Sequence, residues 1–303
     1  MTQLRFDGRV AVITGGGRGL GRAYALLLAA RGAKIVVNDL GVSMSGDATD
    51  EGPADELVRE IREAGGEAVA STDSVATPAG AQAIVQTALD AFGRVDILIH
   101  SAGNVRRAPL RAMSYDDFEN VLSVHLRGGF HMVRECFPLM CDQGHGRIVL
   151  TSSINGLYGK SDNVNYATSK AGLIGLSHTA AIEGAAHGVS SNVIVPAAVT
   201  RMSDGIDTSQ FPPMDPAQVS PLVGWLSHES CPVTGEIYVA MGGRMARAYM
   251  AESRGVYRPE WSVEQVAADS AAIREGDQVV FPAAPNGQLD HLLYGFGMIR
   301  DAG

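Results

Sequence analysis

Residues 9–21 read RVAVITGGGRGLG, and this stretch decides the fold. A short apolar run ends at Thr14 and passes directly into a glycine-rich turn, which opens a segment of helical periodicity, Leu20–Arg31. Small residues at such a turn let the backbone approach a pyrophosphate closely, and the helix start supplies free N–H groups and a positive dipole end. The spacing TGxxxGxG at residues 14–21 therefore predicts a dinucleotide-binding turn.

Further along the chain, apolar β-branched runs alternate with longer helical segments, and this alternation predicts a parallel sheet covered on both faces. We expect a Rossmann-type, doubly wound α/β fold in three αβα layers, with seven parallel strands. The seven candidate strands are Arg9–Ile13, Lys34–Asn38, Glu67–Ser71, Val95–Ile99, Arg147–Thr151, Ser191–Val195 and Glu236–Val239.

Two segments fall outside this alternation. Leu40–Pro53 is a polar loop after the second strand, of a length that is usually functional or mobile. The residues after the last strand form a tail with one candidate helix, Ser262–Glu275. We therefore predict one domain, residues 1–243, and a C-terminal extension, residues 244–303, which covers the substrate side or a subunit interface.

Composition excludes several classes of protein. The 303 residues carry a net charge of -9, which argues against binding of nucleic acid or an anionic membrane surface. Three cysteines without a CxxC pair and eight histidines without HExxH give no sign of a disulfide framework or a metal site. No apolar run approaches 18 residues, and neither a signal peptide nor a C-terminal SKL-type address is visible. These features predict a cytoplasmic protein.

An acidic residue follows the second candidate strand. Asp39 lies 18 residues after Gly21, where a carboxylate accepts hydrogen bonds from the ribose hydroxyls of adenosine and repels a 2′-phosphate. This placement predicts NAD as the cofactor. Arg18 argues the other way, since an arginine in the glycine turn attracts a 2′-phosphate.

The chemistry is indicated further on, by Tyr166 and Lys170 at i and i+4, which share one helix face. A nearby ammonium favours the phenolate form of a tyrosine. Ser153 stands 13 residues earlier, at the end of the fifth candidate strand, where its hydroxyl can hold a carbonyl or alcohol oxygen. These three side chains together predict acid–base chemistry at a carbonyl or alcohol oxygen.

With these motifs, residues 5–245 resemble the short-chain dehydrogenase/reductase superfamily. Several stretches further resemble the (3R)-hydroxyacyl-CoA dehydrogenase domain of multifunctional enzyme type 2. They are VNDLG at 37–41, ALDAFGRV at 88–95, VHLRG at 124–128, AIEG at 181–184 and WLSHES at 225–230.

The resemblance implies a role for each matching residue. Tyr166 is the general acid/base, Lys170 lowers its pKa and holds the nicotinamide ribose, and Ser153 polarises the substrate oxygen. The remaining cofactor contacts that it implies are Gly15, Arg18, Gly19, Leu20 and Gly21 at the pyrophosphate turn, Asp39 at the ribose, and Asp73 and Ser74 at the adenine. Tyr166 and Lys170 contact the nicotinamide half, and Ala102, Gly103, Pro196 and Thr200 are further cofactor contacts.

The sequence departs from the superfamily at three places. His125 replaces an asparagine of the proton relay, and either its side chain or only its backbone takes part. The usual NNAG is His100-Ser101-Ala102-Gly103, and the usual proline-glycine is Pro196-Ala197, so that Thr200 is a candidate and no more for the carboxamide contact.

The resulting prediction is an NAD-dependent oxidoreductase that oxidises a (3R)-hydroxyacyl-CoA. A hydroxysteroid or other bulky secondary alcohol is the alternative substrate, and a catalytically silent NAD-binding sensor is a rival from a different class. Tail arginines 244, 247, 254 and 258 either meet the phosphates of coenzyme A or form ion pairs within the chain.

We also expect a homodimer or homotetramer. The helical segments Tyr115–Cys141 and Asn165–His187 carry apolar residues on more than one face, so each needs cover on the side away from its own sheet.

Overall fold

The computed structural model describes residues 3–41, 52–200, 212–281 and 287–301. Most of the predicted loop Leu40–Pro53 lies outside these residues. The main sheet has the strand order β3-β2-β1-β4-β5-β6-β7-β8. Its strands are β1 Val10–Thr14, β2 Lys34–Asn38, β3 Glu67–Ser71, β4 Ile97–His100, β5 Gly146–Thr151, β6 Val189–Ala197, β7 Ile237–Met241 and β8 Arg244–Ala248.

The first seven strands pair in parallel, as predicted, but the sheet has an eighth, antiparallel strand. Only Gly242 and Gly243 separate β7 from β8, and both have positive φ, +53° and +81°. Two such residues make the tight hairpin turn whose twist matches that of the strands. The sheet therefore has one strand more than the seven predicted, and that strand belongs to this hairpin. A Gly-Gly pair between two strand-like runs is itself a signal for a hairpin. The division at residues 243/244 stays a prediction.

Helices cover both faces of the sheet. They are α1 Gly19–Ala29, α2 Pro53–Glu63, α3 Pro78–Phe92, α4 Tyr115–Leu122, α5 Gly128–Asp142, α6 Ile154–Tyr158, α7 Val164–Gly184 and α8 Ser220–Ser227. Side chains alternate along each strand, so Ala11 and Ile13 pack with α1, α2 and α8, whereas Val10 and Val12 pack with α3, α5 and α7. This is the predicted αβα sandwich.

The tail contains a second, two-stranded sheet formed by β9 Ala251–Ser253 and β10 Gln278–Val280. The predicted helix Ser262–Glu275 is two short helices, α9 Val263–Ala268 and α10 Ser270–Arg274, and α11 Gly287–Asp301 follows. Ser262 is the N-cap of α9, as predicted, and forms a capping box with Gln265. None of the helices within the described ranges is long and apolar enough to cross a membrane.

The predicted helix Tyr115–Cys141 is interrupted at its centre. A π-helical turn, Ser123–Arg127, lies between α4 and α5, and His125 is its middle residue. Such single π-turns inside α-helices occur frequently at functional sites. Residues of this turn, including His125, line the cleft described below.

Candidate active site

A cleft of about 440 Å³ lies at the carboxyl ends of β1, β2, β4, β5 and β6. This is the edge at which open parallel sheets bind ligands. All but one of the predicted site residues line it: Gly15, Arg18, Gly19, Leu20, Asp39, Asp73, Ser74, Ala102, Gly103, His125, Ser153, Tyr166, Lys170, Pro196 and Thr200. The exception is Gly21, which lies beneath the turn, where a Cβ atom would overlap the carbonyl of Gly15.

The glycine turn has the geometry that a pyrophosphate site requires. Gly15 and Gly19 have φ of +64° and +52°, which side-chain-bearing residues rarely adopt. Helix α1 begins at Gly19 with no side-chain cap and no acidic residue in its first turn. Its first N–H groups therefore remain available to an anion at the cleft. Thr200 lies over the turn, since a Cβ at Gly19 would be 3.3 Å from Thr200 Cγ2.

Asp39 braces this turn and faces the cleft. Its Oδ2 accepts the N–H of Gly17 at 3.1 Å and its Oδ1 accepts the N–H of Gly41 at 3.0 Å. Each carboxylate oxygen has a second lone pair, so the group keeps acceptor capacity for ribose hydroxyls. Asp39, which is predicted to bind the ribose, therefore also stabilises the glycine turn.

A residue that sequence reasoning missed orders the end of the cleft predicted to hold the adenine. Asn38 is buried and lines the cleft, and its side-chain amide donates to the carbonyls of Ser71 and Asp73 at 3.2 Å and 2.9 Å. The Ser71 hydroxyl in turn donates to Asp73 Oδ2 at 3.1 Å. These bonds fix the end of β3, where Asp73 and Ser74 were predicted to flank the base.

Ser153, Tyr166 and Lys170 converge at the other end of the cleft. Ser153 follows β5 and caps α6, where its Oγ accepts the N–H of Asn155 at 3.2 Å, and its side chain lies close enough to Tyr166 to lower the pKa of the phenol. Lys170 lies one turn further along α7, with Nζ 5.5 Å from the centre of the Tyr166 ring. Its ammonium donates to the carbonyl of Thr151 at 2.6 Å.

Burial dominates the electrostatics of this group. It raises the pKa of Tyr166 above its ordinary value, while the neighbouring Ser153 side chain acts in the opposite direction. Burial also lowers the pKa of Lys170 to about 7. That Lys170 lowers the pKa of Tyr166 stays a prediction, because desolvation is the largest influence on both groups.

His125 is also buried, and its ring is held to the backbone of Asn104. The ring atom Nε2 lies 2.8 Å from the carbonyl oxygen of Asn104 and 3.1 Å from its amide nitrogen. Burial and then the charge of Lys170 hold the pKa of His125 well below its ordinary value. Whether the side chain of His125 or only its backbone takes part in a proton relay stays a prediction.

The ring of His125 meets Tyr166 edge-on, with centroids 5.1 Å apart and planes at 83°. Gly103 makes this approach possible, because a Cβ there would overlap His125 Cε1. In the sequence, the signal for these contacts is the stretch His100-Ser101-Ala102-Gly103, which differs from the NNAG of the superfamily and contains Gly103.

A family model described as short chain dehydrogenase matches residues 9–210. The chain belongs to the short-chain dehydrogenase family. Its predicted oxidoreductase class is thereby confirmed, and members of this family use a nicotinamide cofactor.

Particular relatives agree. The chain is 49% identical over 259 residues to peroxisomal multifunctional enzyme type 2 of Drosophila melanogaster, covering 85% of this chain and 43% of that protein. It is 36% identical to a hydroxyacyl-CoA dehydrogenase of Mycobacterium tuberculosis, covering 78% of each. The crystal structure of a short chain dehydrogenase from Mycobacterium avium superposes with a TM-score of 0.77 at 37% identity, covering 88% of this chain and 94% of that one.

The predicted resemblance to multifunctional enzyme type 2 is therefore confirmed. The chain spans less than half the length of the fruit-fly relative.

Proposed function

We propose that this short-chain dehydrogenase oxidises a (3R)-hydroxyacyl-CoA to the 3-ketoacyl-CoA with NAD. The observation that carries the proposal is the convergence of Ser153, Tyr166 and Lys170 at one end of a cleft that has a glycine turn and Asp39 at the other. A dinucleotide bound along this cleft, with its pyrophosphate at the glycine turn, would direct its nicotinamide end toward the tyrosine.

The chain's own residues fit NAD. Gly15, Gly19 and the uncapped start of α1 would hold the pyrophosphate, and the carboxylate of Asp39 would hold the adenosine ribose. The same carboxylate would repel a 2′-phosphate, so NAD is favoured over NADP even though Arg18 also lines the cleft. At the opposite end, Thr151 Oγ1 is a buried cleft atom without a hydrogen-bond partner among the described residues, as expected of a site that a ligand or water completes.

The residues at the catalytic end divide the proton chemistry among them. Ser153 holds the substrate hydroxyl, and Tyr166 as phenolate takes the hydroxyl proton, so the C–O bond becomes a carbonyl. NAD, when bound, supplies the acceptor for the hydride that leaves the carbinol carbon. Lys170, held by the carbonyl of Thr151, keeps positive charge near the phenolate when it is protonated.

The substrate class rests on the relatives. One is named hydroxyacyl-CoA dehydrogenase, and the fruit-fly protein carries the name of the multifunctional enzyme whose dehydrogenase domain this sequence resembles. The tail arginines support this class less than expected. Arg247 pairs with Glu236 at 3.0 Å and Arg258 with Asp269 at 2.7 Å, so both form ion pairs within the chain.

Self-association belongs to the same proposal. Phe130 on α5 and Ile182 on α7 are 52% and 41% exposed, on the helices predicted to need cover. A homodimer or homotetramer would bury them. A cytoplasmic location remains a prediction, because the fruit-fly relative is named peroxisomal.

A substrate panel tests the proposal. The purified chain is assayed with NAD and either (3R)-hydroxyacyl-CoA esters, their (3S) isomers or steroid alcohols, and NADH is followed by absorbance. Oxidation of the (3R) esters alone supports the proposal. Oxidation of a steroid alcohol but no acyl-CoA would replace it with the alternative substrate class, and NADH binding without turnover of any alcohol would favour the sensor.

A further inference from the structure

His100, the last residue of β4, is fully buried. Its Nδ1 lies 2.9 Å from the hydroxyl oxygen of Thr14, which immediately precedes the glycine turn. Its Nε2 lies 3.0 Å from the carbonyl oxygen of His125, in the π-helical turn. One ring therefore connects the end of β1, which leads into the glycine turn, with the π-helical turn, whose His125 contacts Tyr166.

The chemistry of the partners determines the direction of both hydrogen bonds. A carbonyl oxygen only accepts, so Nε2 carries the proton and donates to His125. In a neutral ring Nδ1 must then accept, and the Thr14 hydroxyl donates to it. The oxygen of Thr14 in turn accepts the N–H groups of Ser101 and Ala102, each at 3.3 Å. The result is a directed chain of hydrogen bonds from the floor of the cleft to the π-helical turn.

The surroundings suit a neutral ring of this size. Burial and the charge of Lys170 lower the pKa of His100 to about 3, so the ring does not titrate near neutral pH. On its other side a Cβ at Gly129 would lie 3.3 Å from His100 Cδ2, so α5 leaves just enough room for the imidazole.

The carbonyl oxygen that His100 binds belongs to His125, whose side chain contacts Tyr166. His125 lines the cleft, packs edge-on against the ring of Tyr166 and holds the backbone of Asn104. The same carbonyl oxygen also accepts the N–H of Gly128, at the end of the π-helical turn. The Nε2–H of His100 is therefore a second donor to this oxygen, from outside the helix, and it would stabilise the turn and, through it, the position of the His125 ring.

We propose that His100 is a positioning residue, whose Nε2–H bond to the His125 carbonyl sets the π-helical turn and thereby the placement of Tyr166 for proton transfer. The role is distinct from carrying protons. It rests on the proposed function in that turnover is one of its readouts.

Three substitutions separate the two hydrogen bonds of the ring. The amide nitrogen of Gln reaches about as far as Nε2, so His100→Gln keeps the donor to His125. Asn is shorter, so His100→Asn keeps an acceptor for Thr14 but does not reach the turn. His100→Phe keeps an aromatic ring and loses both bonds.

The measurements are kcat, the Kd of NADH from its fluorescence, and the melting temperature of each variant. We expect kcat to fall about tenfold in His100→Asn and His100→Phe, the effect of one lost buried hydrogen bond, with the Kd of NADH within about threefold of wild type. His100→Gln should recover most of the lost kcat. The proposal is overturned if Asn supports turnover as well as Gln does, or if Gln is no better than Phe.

A measurement on the unaltered chain covers the case in which the variants do not fold, or in which no acyl-CoA is oxidised. Long-range ¹⁵N–¹H NMR spectra of histidine-labelled protein report the tautomer of each ring. The proposal requires the Nε2–H form for His100, and an Nδ1–H form would overturn it. This result is independent of substrate, and kcat is measured with whichever alcohol the wild type oxidises.

Discussion

The ammonium of Lys170 donates to the carbonyl oxygen of Thr151 at 2.6 Å, whereas the hydroxyl of the same threonine is buried without a hydrogen-bond partner in the part of the chain that the structure describes. The end of β5 thus holds the ammonium of Lys170 close to Tyr166, whose ring centre lies 5.5 Å from Nζ.

Replacing Tyr166 by Phe should abolish turnover and preserve the fold. The loss of the phenolic oxygen removes the proton acceptor, a contribution of typically 10²- to 10⁴-fold in rate, while the ring still packs against His125. Steady-state kcat, NADH fluorescence and the melting temperature measure the three effects. Tyr158→Phe, on α6 and 80% exposed, is the matched control and should be neutral. A Tyr166→Phe enzyme that kept more than a few per cent of kcat would exclude Tyr166 as the base.

Cofactor preference should depend on Asp39. The wild type is expected to use NAD with a kcat/KM well above that for NADP, and Asp39→Ala should narrow the ratio, since the charge that repels the 2′-phosphate is gone. We expect NAD itself to bind less well too, because Asp39 also accepts the N–H of Gly17. Asp116→Ala, outside the cleft, serves as control. A wild type that uses NADP equally well would mean that Arg18 outweighs Asp39.

The buried lysine should make stability depend on pH. Because burial lowers the pKa of Lys170 to about 7 in the folded state, the unfolded chain holds one more proton between pH 7 and the ordinary lysine pKa near 10.5. The free energy of unfolding therefore gains a contribution that rises with pH across that window, by up to about 1.4 kcal/mol per unit.

Urea unfolding of the ligand-free protein and of Lys170→Met at pH 7, 8 and 9 isolates this contribution. Relative to the variant, the wild type should become more stable as pH rises. Lys34→Met, whose lysine is partly exposed beside Glu67, is the control and should show little such trend. Parallel pH profiles for wild type and Lys170→Met would show that the lysine is not perturbed.

Gly103 should not tolerate a methyl group. A Cβ there overlaps the ring of His125, so Gly103→Ala must displace a ring that contacts Tyr166, and overpacking of this kind costs about 1–3 kcal/mol. Turnover should fall together with stability. Gly175→Ala, on α7 with open space around it, is the matched control and should stabilise the helix by about 0.5–1 kcal/mol. Equal effects at the two positions would contradict the crowding at Gly103.

Light scattering should give a mass of two or four times 31.8 kDa at micromolar concentration. Self-association would bury the half-exposed side chain of Phe130 on α5. Phe130→Asp should therefore shift the mass toward that of one chain. Leu110→Asp, at an exposed apolar side chain outside both of the helical segments predicted to need cover, is the control and should leave the mass unchanged. A wild-type monomer at these concentrations would refute self-association.

Local patterns determined much of this protein. The apolar run before Thr14, the glycines after it and the alternation that follows were enough to predict the parallel sheet, its αβα layers and the edge where ligands bind, because strand and helix periodicities are properties of short segments. The spacing of Ser153, Tyr166 and Lys170 likewise follows from one strand end and one helix face. Gly242-Gly243 is an equally local signal, typical of a hairpin turn between β7 and β8.

The tertiary structure alone decided the contacts between segments that are far apart in the chain. The bonds of His100 to Thr14 and to His125 span 86 and 25 residues, and no periodicity encodes them. The direction of the Tyr166 and Lys170 pKa shifts also depended on burial, since desolvation is set by everything packed around a group and not by its neighbour four residues away. Sequence therefore determined which side chains reach the cleft, and packing determined their charge and orientation.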